Sequence, residues 1–266
     1  MKNKFKLFSK ISLILIYLVI LAGSTVRMTG SGMGCPDWPK CFGFLIPPTS
    51  RSQLDWKKNY NYTEGQIIII KNKLYSSKNK FKSGTNYNKS NWKLYTKHNY
   101  SLFNPYHTWI EYINRLIGAL SGLAVLIMTL FSFSYLKEKK IIPIFSIITL
   151  FLMGFQAWLG KMVVDSNLMP IKITIHLSLA ILLVILMVIL IQFSQKKEYN
   201  YIISKEFKII LILGFIVTLS QIFMGTQVRE YVDQIFKSSN NSLSNIWQKT
   251  PPIIFYIHRS FSILVL

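Results

Sequence analysis

The sequence is poor in cysteine and in acidic residues. Two cysteines in 266 residues exclude a disulfide scaffold. Ten acidic residues face 31 Lys and Arg, giving a formal net charge of +21. That balance suits nucleic-acid binding, but it has a blander source. Much of it is Lys in loops beside many Asn and Ile, a pattern of compositional drift. Charged residues of either sign are only 15% of the chain, whereas hydrophobic ones are 51% and aromatic ones 14%. Disorder is thereby excluded. The length would accommodate one or two soluble domains. The apolar residues instead come in long blocks separated by basic or Asn-rich stretches, which argues against that.

A bilayer core needs about 20 apolar residues in a helix. Ile11–Met28, Trp109–Leu136, Ile141–Val164, Ile171–Phe193 and Ile209–Val228 meet that need. A sixth apolar stretch starts at Ile253 and reaches Leu266, about 21 Å of helix, short of a crossing. The chain therefore reads as a truncated form. The fold class is all-α integral membrane, with two tandem four-helix repeats, the second incomplete: residues 1–194, carrying a long loop at 30–108, and residues 195–266. The first span reads as a retained anchor rather than a signal peptide, because its apolar stretch is long and no A-x-A site follows.

Short basic segments set the orientation. Lys2, Lys4, Lys6 and Lys10, then Lys137, Lys139 and Lys140, then Lys196, Lys197, Lys205 and Lys208 all fall on one side if spans alternate. That side is expected to be cytoplasmic, with the loop 30–108 outside. The part around 57–97, rich in Lys, Asn, Tyr and Ser with little periodicity, reads as a poorly packed insertion. His98 and His107 read as loop residues.

The chain carries an internal echo. Gly23-Ser-Thr-Val26-Arg27 matches Gly225-Thr-Gln-Val228-Arg229, and Tyr112-Ile-Asn114-Arg115 matches Tyr256-Ile-His258-Arg259. Both pairs occur in the same order, which points to a duplicated four-helix unit in parallel orientation.

Ionisable groups inside spans are costly and default to functional hypotheses. Glu111, Asn114 and Arg115 lie in the first turns of the second span. His176 and His258 each lie six residues past a proline, about 9 Å in from the outer boundary. Arg27 and Arg229 close the outer ends of two other spans. Together they form a polar layer near the outer leaflet. Glu111 and Arg115 could simply be an ion pair that lowers insertion cost. Either histidine could be no more than an interhelical hydrogen bond. An imidazole on a membrane helix is also a haem ligand, and arginines nearby can meet propionates. Gly118 and Gly122 continue the Glu111 side as G-x-x-x-G, which allows close approach of a helix or a flat ligand. Cys35 and Cys41, flanking Pro-Asp-Trp-Pro-Lys, are expected to form a disulfide outside the membrane or a reactive thiol pair. A zinc site lacks a second cysteine pair.

These residues resemble a family. The stretch Val26-Arg-Met-Thr-Gly-Ser-Gly-Met-Gly-Cys-Pro-Asp-Trp-Pro-Lys-Cys-Phe-Gly43 resembles the first outer loop of haem A synthases. Glu111-Tyr-Ile-Asn-Arg-Leu-Ile-Gly118 is similar to their second-helix motif. Leu159-Gly-Lys-Met-Val-Val-Asp-Ser-Asn-Leu-Met-Pro170 with His176, then Gly225-Thr-Gln-Val-Arg-Glu230 with His258-Arg259, are similar to later helices.

The resemblance implies an eight-helix enzyme of the cell inner or plasma membrane, its catalytic layer toward the outer face. It would oxidise the C8 methyl of haem O to a formyl group, making haem A for cytochrome c oxidase. It implies a substrate-haem pocket in the first half (His176, Asn114, Arg115, Arg27, with Glu111 beside the reacting group). It implies haem b in the second half, with His258 on iron and Arg229 and Arg259 around it. Haem O synthase and an unidentified electron donor become expected partners, with the lipid bilayer as surroundings. A homo-oligomer is allowed, and nucleic acid is not a partner. Two departures stand out. Many members have His where this chain has Asn114, and the chain ends before helices seven and eight, which leaves haem b without its second ligand. A cytochrome b-type electron-transfer protein, or a non-catalytic assembly factor or truncated inactive form, are the competing readings.

Overall fold

The protein is seen in a computed structural model, which describes residues 1–96, 103–195, 204–238 and 250–264. His98 lies outside the described residues. Among the described residues six α-helices dominate: α1 (Lys2–Met28), α2 (Pro105–Ser132), α3 (Ile141–Asp165), α4 (Pro170–Phe193), α5 (Lys205–Ser238) and α6 (Ile253–Phe261). The first five are long and apolar enough to cross a bilayer. The chain is an integral membrane protein.

Local sequence sets the helix starts. Asn104 caps α2 by accepting from the backbone N–H of Tyr106 (3.0 Å) and His107 (3.4 Å), and Pro105 opens its first turn. Pro170 opens α4 in the same way. His107 therefore belongs to the first turn of α2, not to a loop. The cap recruits it, a signal carried by Asn104-Pro105. Between α3 and α4 the chain reverses through Asn167 and Leu168, both at positive φ.

Helices α1 to α4 share one core of Phe5, Ile16, Val125, Met128, Tyr135, Ile142, Met187 and Leu190. Buried serines and threonines let the helices come close. Ser9, Ser12, Ser121, Ser132 and Ser146 are fully buried, and Thr129 donates to the Ser146 carbonyl of α3 at 3.2 Å. Contacts also fix the ends. Lys2 pairs with Glu138, and Lys139 Nζ reaches the Phe193 carbonyl at 3.5 Å. The start of α1, the α2–α3 link and the end of α4 thus gather at one end of the bundle. Helix α5 joins α4 through hydroxyls, Thr174 Oγ1 lying 2.7 Å from Thr226 Oγ1.

The α1–α2 connection corrects an expectation. The described part of the 57–97 stretch, residues 57–96, is not poorly packed. Strands β1 (Asn61–Tyr62) and β4 (Phe81–Lys82) pair antiparallel, and β2 (Ile67–Ile70), β3 (Lys73–Ser77) and β5 (Trp92–Leu94) form a three-stranded antiparallel sheet. Lys71 and Asn72, both at positive φ, make the two-residue turn between β2 and β3. Ile67, Ile69 and Leu74 pack with Cys35, Cys41, Phe42 and Leu54. Ile68 packs on the other side with Tyr62 and Trp92, joined by Trp56, Tyr75 and Phe81. Both faces of β2 are covered, so its four isoleucines show no alternation. That is why periodicity failed to reveal it.

Candidate functional site

The polar residues fall into three groups, the second and third of which share Gly225 and His258. The first surrounds the cysteines. Cys35 and Cys41 form a disulfide. Glu111, in the second turn of α2 and only 3% exposed, accepts from the Cys35 backbone N–H (2.9 Å) and pairs with Arg115 one turn on (2.5 Å). Arg115 also donates to the carbonyls of Asp37 (2.8 Å), Lys40 (3.1 Å) and Cys35 (3.3 Å). A guanidinium offers five donors in a fixed fork, and here the fork spans the whole disulfide loop. Thr108 donates to the Gly34 carbonyl at 2.9 Å. Gly34 is required there, since a Cβ would meet the His107 carbonyl oxygen at 2.4 Å. Within the loop, Asp37 accepts from the N–H groups of Phe42 (2.5 Å) and Gly43 (2.8 Å). Burial pushes the Asp37 carboxyl up, while the N–H groups of Gly43 and Phe42 and the charge of Arg115 oppose it. The sheet is tied on as well: Ile67 N–H donates to the Phe42 carbonyl (3.1 Å) and Tyr95 Oη to the Pro36 carbonyl (2.5 Å).

The second group is a set of glycine–polar pairs between successive helices. A Cβ on Gly160 of α3 would lie 3.5 Å from His176 Cε1 on α4. A Cβ on Gly225 of α5 would lie 3.1 Å from His258 Cε1 and 3.5 Å from its Nε2 on α6. A Cβ on Gly23 of α1 would lie 3.8 Å from Asn114 Oδ1 on α2. All three glycines open the pattern Gly-x-x-Val: Gly23 to Val26, Gly160 to Val163 and Gly225 to Val228. The sequence reading found the first and third and missed the second, because Val164 stands where the others have Arg. The Nδ1 atoms of His176 and His258 and Oδ1 of Asn114 are buried without a hydrogen-bond partner.

The third group is a cleft of about 350 Å³ lined by Arg27, Ile173, Leu177, Gln221, Gly225, Arg229 and His258, among others. Asp233 binds both arginines, with Arg27 Nη1 at 3.1 Å and Arg229 Nε at 2.9 Å, although the Arg229 Nε–H is not aimed at it. Arg27 thus shares a cleft with His258 rather than with Asn114 or Arg115. Arg259 is exposed. No described residue comes within 4 Å of a Cβ placed on Gly118 or Gly122, so open space lies beside these two glycines.

Among the described residues no three of His, Cys, Asp and Glu converge as a metal site. A metal held by His176 or His258 would have to bring most of its ligands with it, as a macrocycle does. Two half-buried imidazoles, each with a buried unpaired Nδ1 and each facing a glycine, fit a haem in that way.

A family model described as cytochrome oxidase assembly protein matches residues 6–266. The chain belongs to that family. Curated relatives include the haem A synthase of Shewanella oneidensis, 28% identical over 63% of this chain. The haem A synthases of Shouchella clausii (24% identical over 94% of this chain) and Rickettsia prowazekii (26% over 82%) match as well. The matched stretches cover 39%, 68% and 59% of those proteins, so this member of the family spans only part of their length. No solved structure matches the chain.

Proposed function

We propose that the chain carries haem A synthase chemistry: oxidation of the C8 methyl of haem O to a formyl group by two hydroxylations at one carbon and loss of water. The observation that carries the reading is the repeated helical hairpin in which a half-buried imidazole, its Nδ1 buried and unpaired, faces a glycine, His176 on Gly160 and His258 on Gly225. The relatives named above are haem A synthases by name, which supports the product; the oxidation of the C8 methyl is what the resemblance implies.

In this reading His176 holds the iron of substrate haem O in residues 1–194, and His258 holds haem b in residues 195–266. Haem b supplies one-electron transfer when bound. The open face at Gly118 and Gly122 accommodates a flat macrocycle. Glu111, with both oxygens held, contributes a fixed negative charge that need not reorganise as positive charge develops on the substrate. Arg115 keeps the disulfide loop seated above that carboxylate. Arg27 and Arg229 offer cations for propionates at the cleft, where Asp233 now holds them. Arg259 lies outside these contacts and is left with a role in the second half. Asn114 is a poor iron ligand, so His176 would be the residue of this half that holds the iron, unless substrate binds differently there. The basic ends gathered by Lys2, Glu138 and Lys139 face the cytoplasm, and the disulfide loop faces outward. Haem O synthase upstream and an electron donor complete the expected partners.

The test supplies haem O to membranes that lack any other haem A synthase and contain this chain, then chromatographs the extracted haems. Haem A or its hydroxylated precursor supports the reading. Unchanged haem O, with the folded chain present in the membrane, overturns it. Haem binding with no conversion would favour the electron-transfer alternative.

A further inference from the structure

Two glutamines occupy equivalent places that neither the motifs nor the reaction accounts for. Gln156 lies one turn before Gly160 on α3, and Gln221 one turn before Gly225 on α5. Gln156 Nε2 donates to the backbone carbonyl of His176 at 2.9 Å. Gln221 Nε2 donates to the backbone carbonyl of His258, also at 2.9 Å. Each bond crosses between helices and ends on the histidine itself. In the α1–α2 hairpin the same position is Val19, and the polar residue opposite Gly23 is Asn114. Within one chain, glutamine stands where histidine does and is missing where histidine is.

We propose that Gln156 and Gln221 are positioning residues for His176 and His258, setting the height and aim of each imidazole toward iron. This rests on the reading that the two histidines ligate haem. A carbonyl has two lone pairs. In α6 the His258 carbonyl already accepts from the Ser262 N–H, and Gln221 takes the remaining capacity. The amide therefore pins the histidine backbone along the axis of the neighbouring helix. The glycine four residues on, about 6 Å further along that axis, meets the ring at Cε1. Two contacts one turn apart fix both the separation of the helices and the rotation of the ring. Gln156 Oε1 and Gln221 Oε1 are buried without a partner, as are both Nδ1 atoms. An imidazole bound to iron through Nε2 carries its proton on Nδ1 and needs an acceptor. The structure shows no bond between the two; the free amide oxygen, on the group already bonded to that residue's backbone, is the acceptor that this positioning role assigns to it once iron is bound.

A plain interhelical hydrogen bond would stabilise the hairpin without touching the haem. The experiment separates the two. The whole chain, loaded with haem in lipid nanodiscs, is compared with Gln156→Met and Gln221→Met, which keep side-chain length and lose the amide. His176→Ala and His258→Ala assign each haem signal to its hairpin. The expected result is a shift in the ferric haem g values at the altered hairpin only, with haem lost about tenfold more readily there. Lower thermal stability with unchanged g values and haem retention would overturn the positioning role and leave the ligation reading standing. If neither His→Ala variant removes a haem signal, the ligation reading falls and takes this inference with it. Helix content and an intact Cys35–Cys41 bond check that each variant folds, and Gln→Leu serves if methionine disturbs packing.

Discussion

The backbone N–H of Cys35 donates to Glu111 across 76 residues of sequence, at 2.9 Å. Its neighbour Arg115 closes the arrangement by pairing with Glu111 and gripping three carbonyls of the disulfide loop. The loop is thus seated on α2 by a buried ion pair. Removing one partner of such a pair strands the other charge. Glu111→Ala is expected to cost roughly 3 kcal/mol and to make the Cys35–Cys41 bond easier to reduce. Thermal unfolding and the rate of disulfide reduction measure both. An unchanged reduction rate would mean that the ion pair does not hold the loop.

Gly34→Ala attacks the same seat without touching charge. The added methyl would collide with the His107 carbonyl oxygen at 2.4 Å, so backbone has to move. A loss of about 1–3 kcal/mol is expected, with reduction of the disulfide again accelerated. A melting temperature equal to that of the parent chain would show that the loop yields freely.

The two glycine–histidine pairs differ in tightness, and that gives a graded prediction. Gly225→Ala puts a methyl 3.1 Å from His258 Cε1 and 3.5 Å from Nε2, crowding the atom that would face iron. Gly160→Ala makes only an ordinary 3.5 Å contact with His176. Haem titration of the two variants should show a strong loss, about tenfold in affinity, at His258 and little change at His176. Equal effects would mean that the glycines do not face the ligating edge.

Asn114→His places an imidazole opposite Gly23, where the buried Asn114 Oδ1 has no partner. If this position addresses the first-half haem, its ferric spectrum should pass from high-spin five-coordinate to low-spin six-coordinate. A spectrum unaltered by the substitution would place position 114 away from the iron.

Trp92 packs on Tyr62 at 4.9 Å and Phe81 at 5.5 Å between ring centroids, and is 4% exposed. Trp92→Ala should cost about 3–5 kcal/mol in the sheet and open residues 57–96 to protease. Haem content should stay as it is, because among the described residues that form this cluster none comes from α3 to α6. Loss of haem together with protease sensitivity would show that the sheet supports the site.

Much of the helical architecture was legible because long apolar runs leave a bilayer-spanning chain few alternatives. Its boundaries were less so. Lysines at the start of α1 and α5 hid the first turns, since charged residues beyond the apolar stretch can still be helical. The sheet was hidden for a different reason: with both faces of β2 covered, Ile67–Ile70 shows no alternation to read. Glu111, Arg115, His176 and His258 stood out as charged or titratable groups at membrane depth. Gln156 and Gln221 did not, because a neutral amide within an apolar helix gives no signal until its partner on the next helix is known. The same holds for Arg27. Its position suggested the first half, while its side chain joins Arg229 on Asp233.

That shared carboxylate sets the terms on which the cleft can be filled. An anion arriving at Arg27 and Arg229 does not add a charge to a bare cationic site; it trades places with one already seated. Asp233 stays tethered to α5, so it can turn aside but not leave, and two arginines facing one carboxylate keep a positive charge for the arrival. Occupancy should fall less steeply with ionic strength than at a bare pair of arginines, and the fit of the incoming molecule to His258 and the apolar walls should count for correspondingly more.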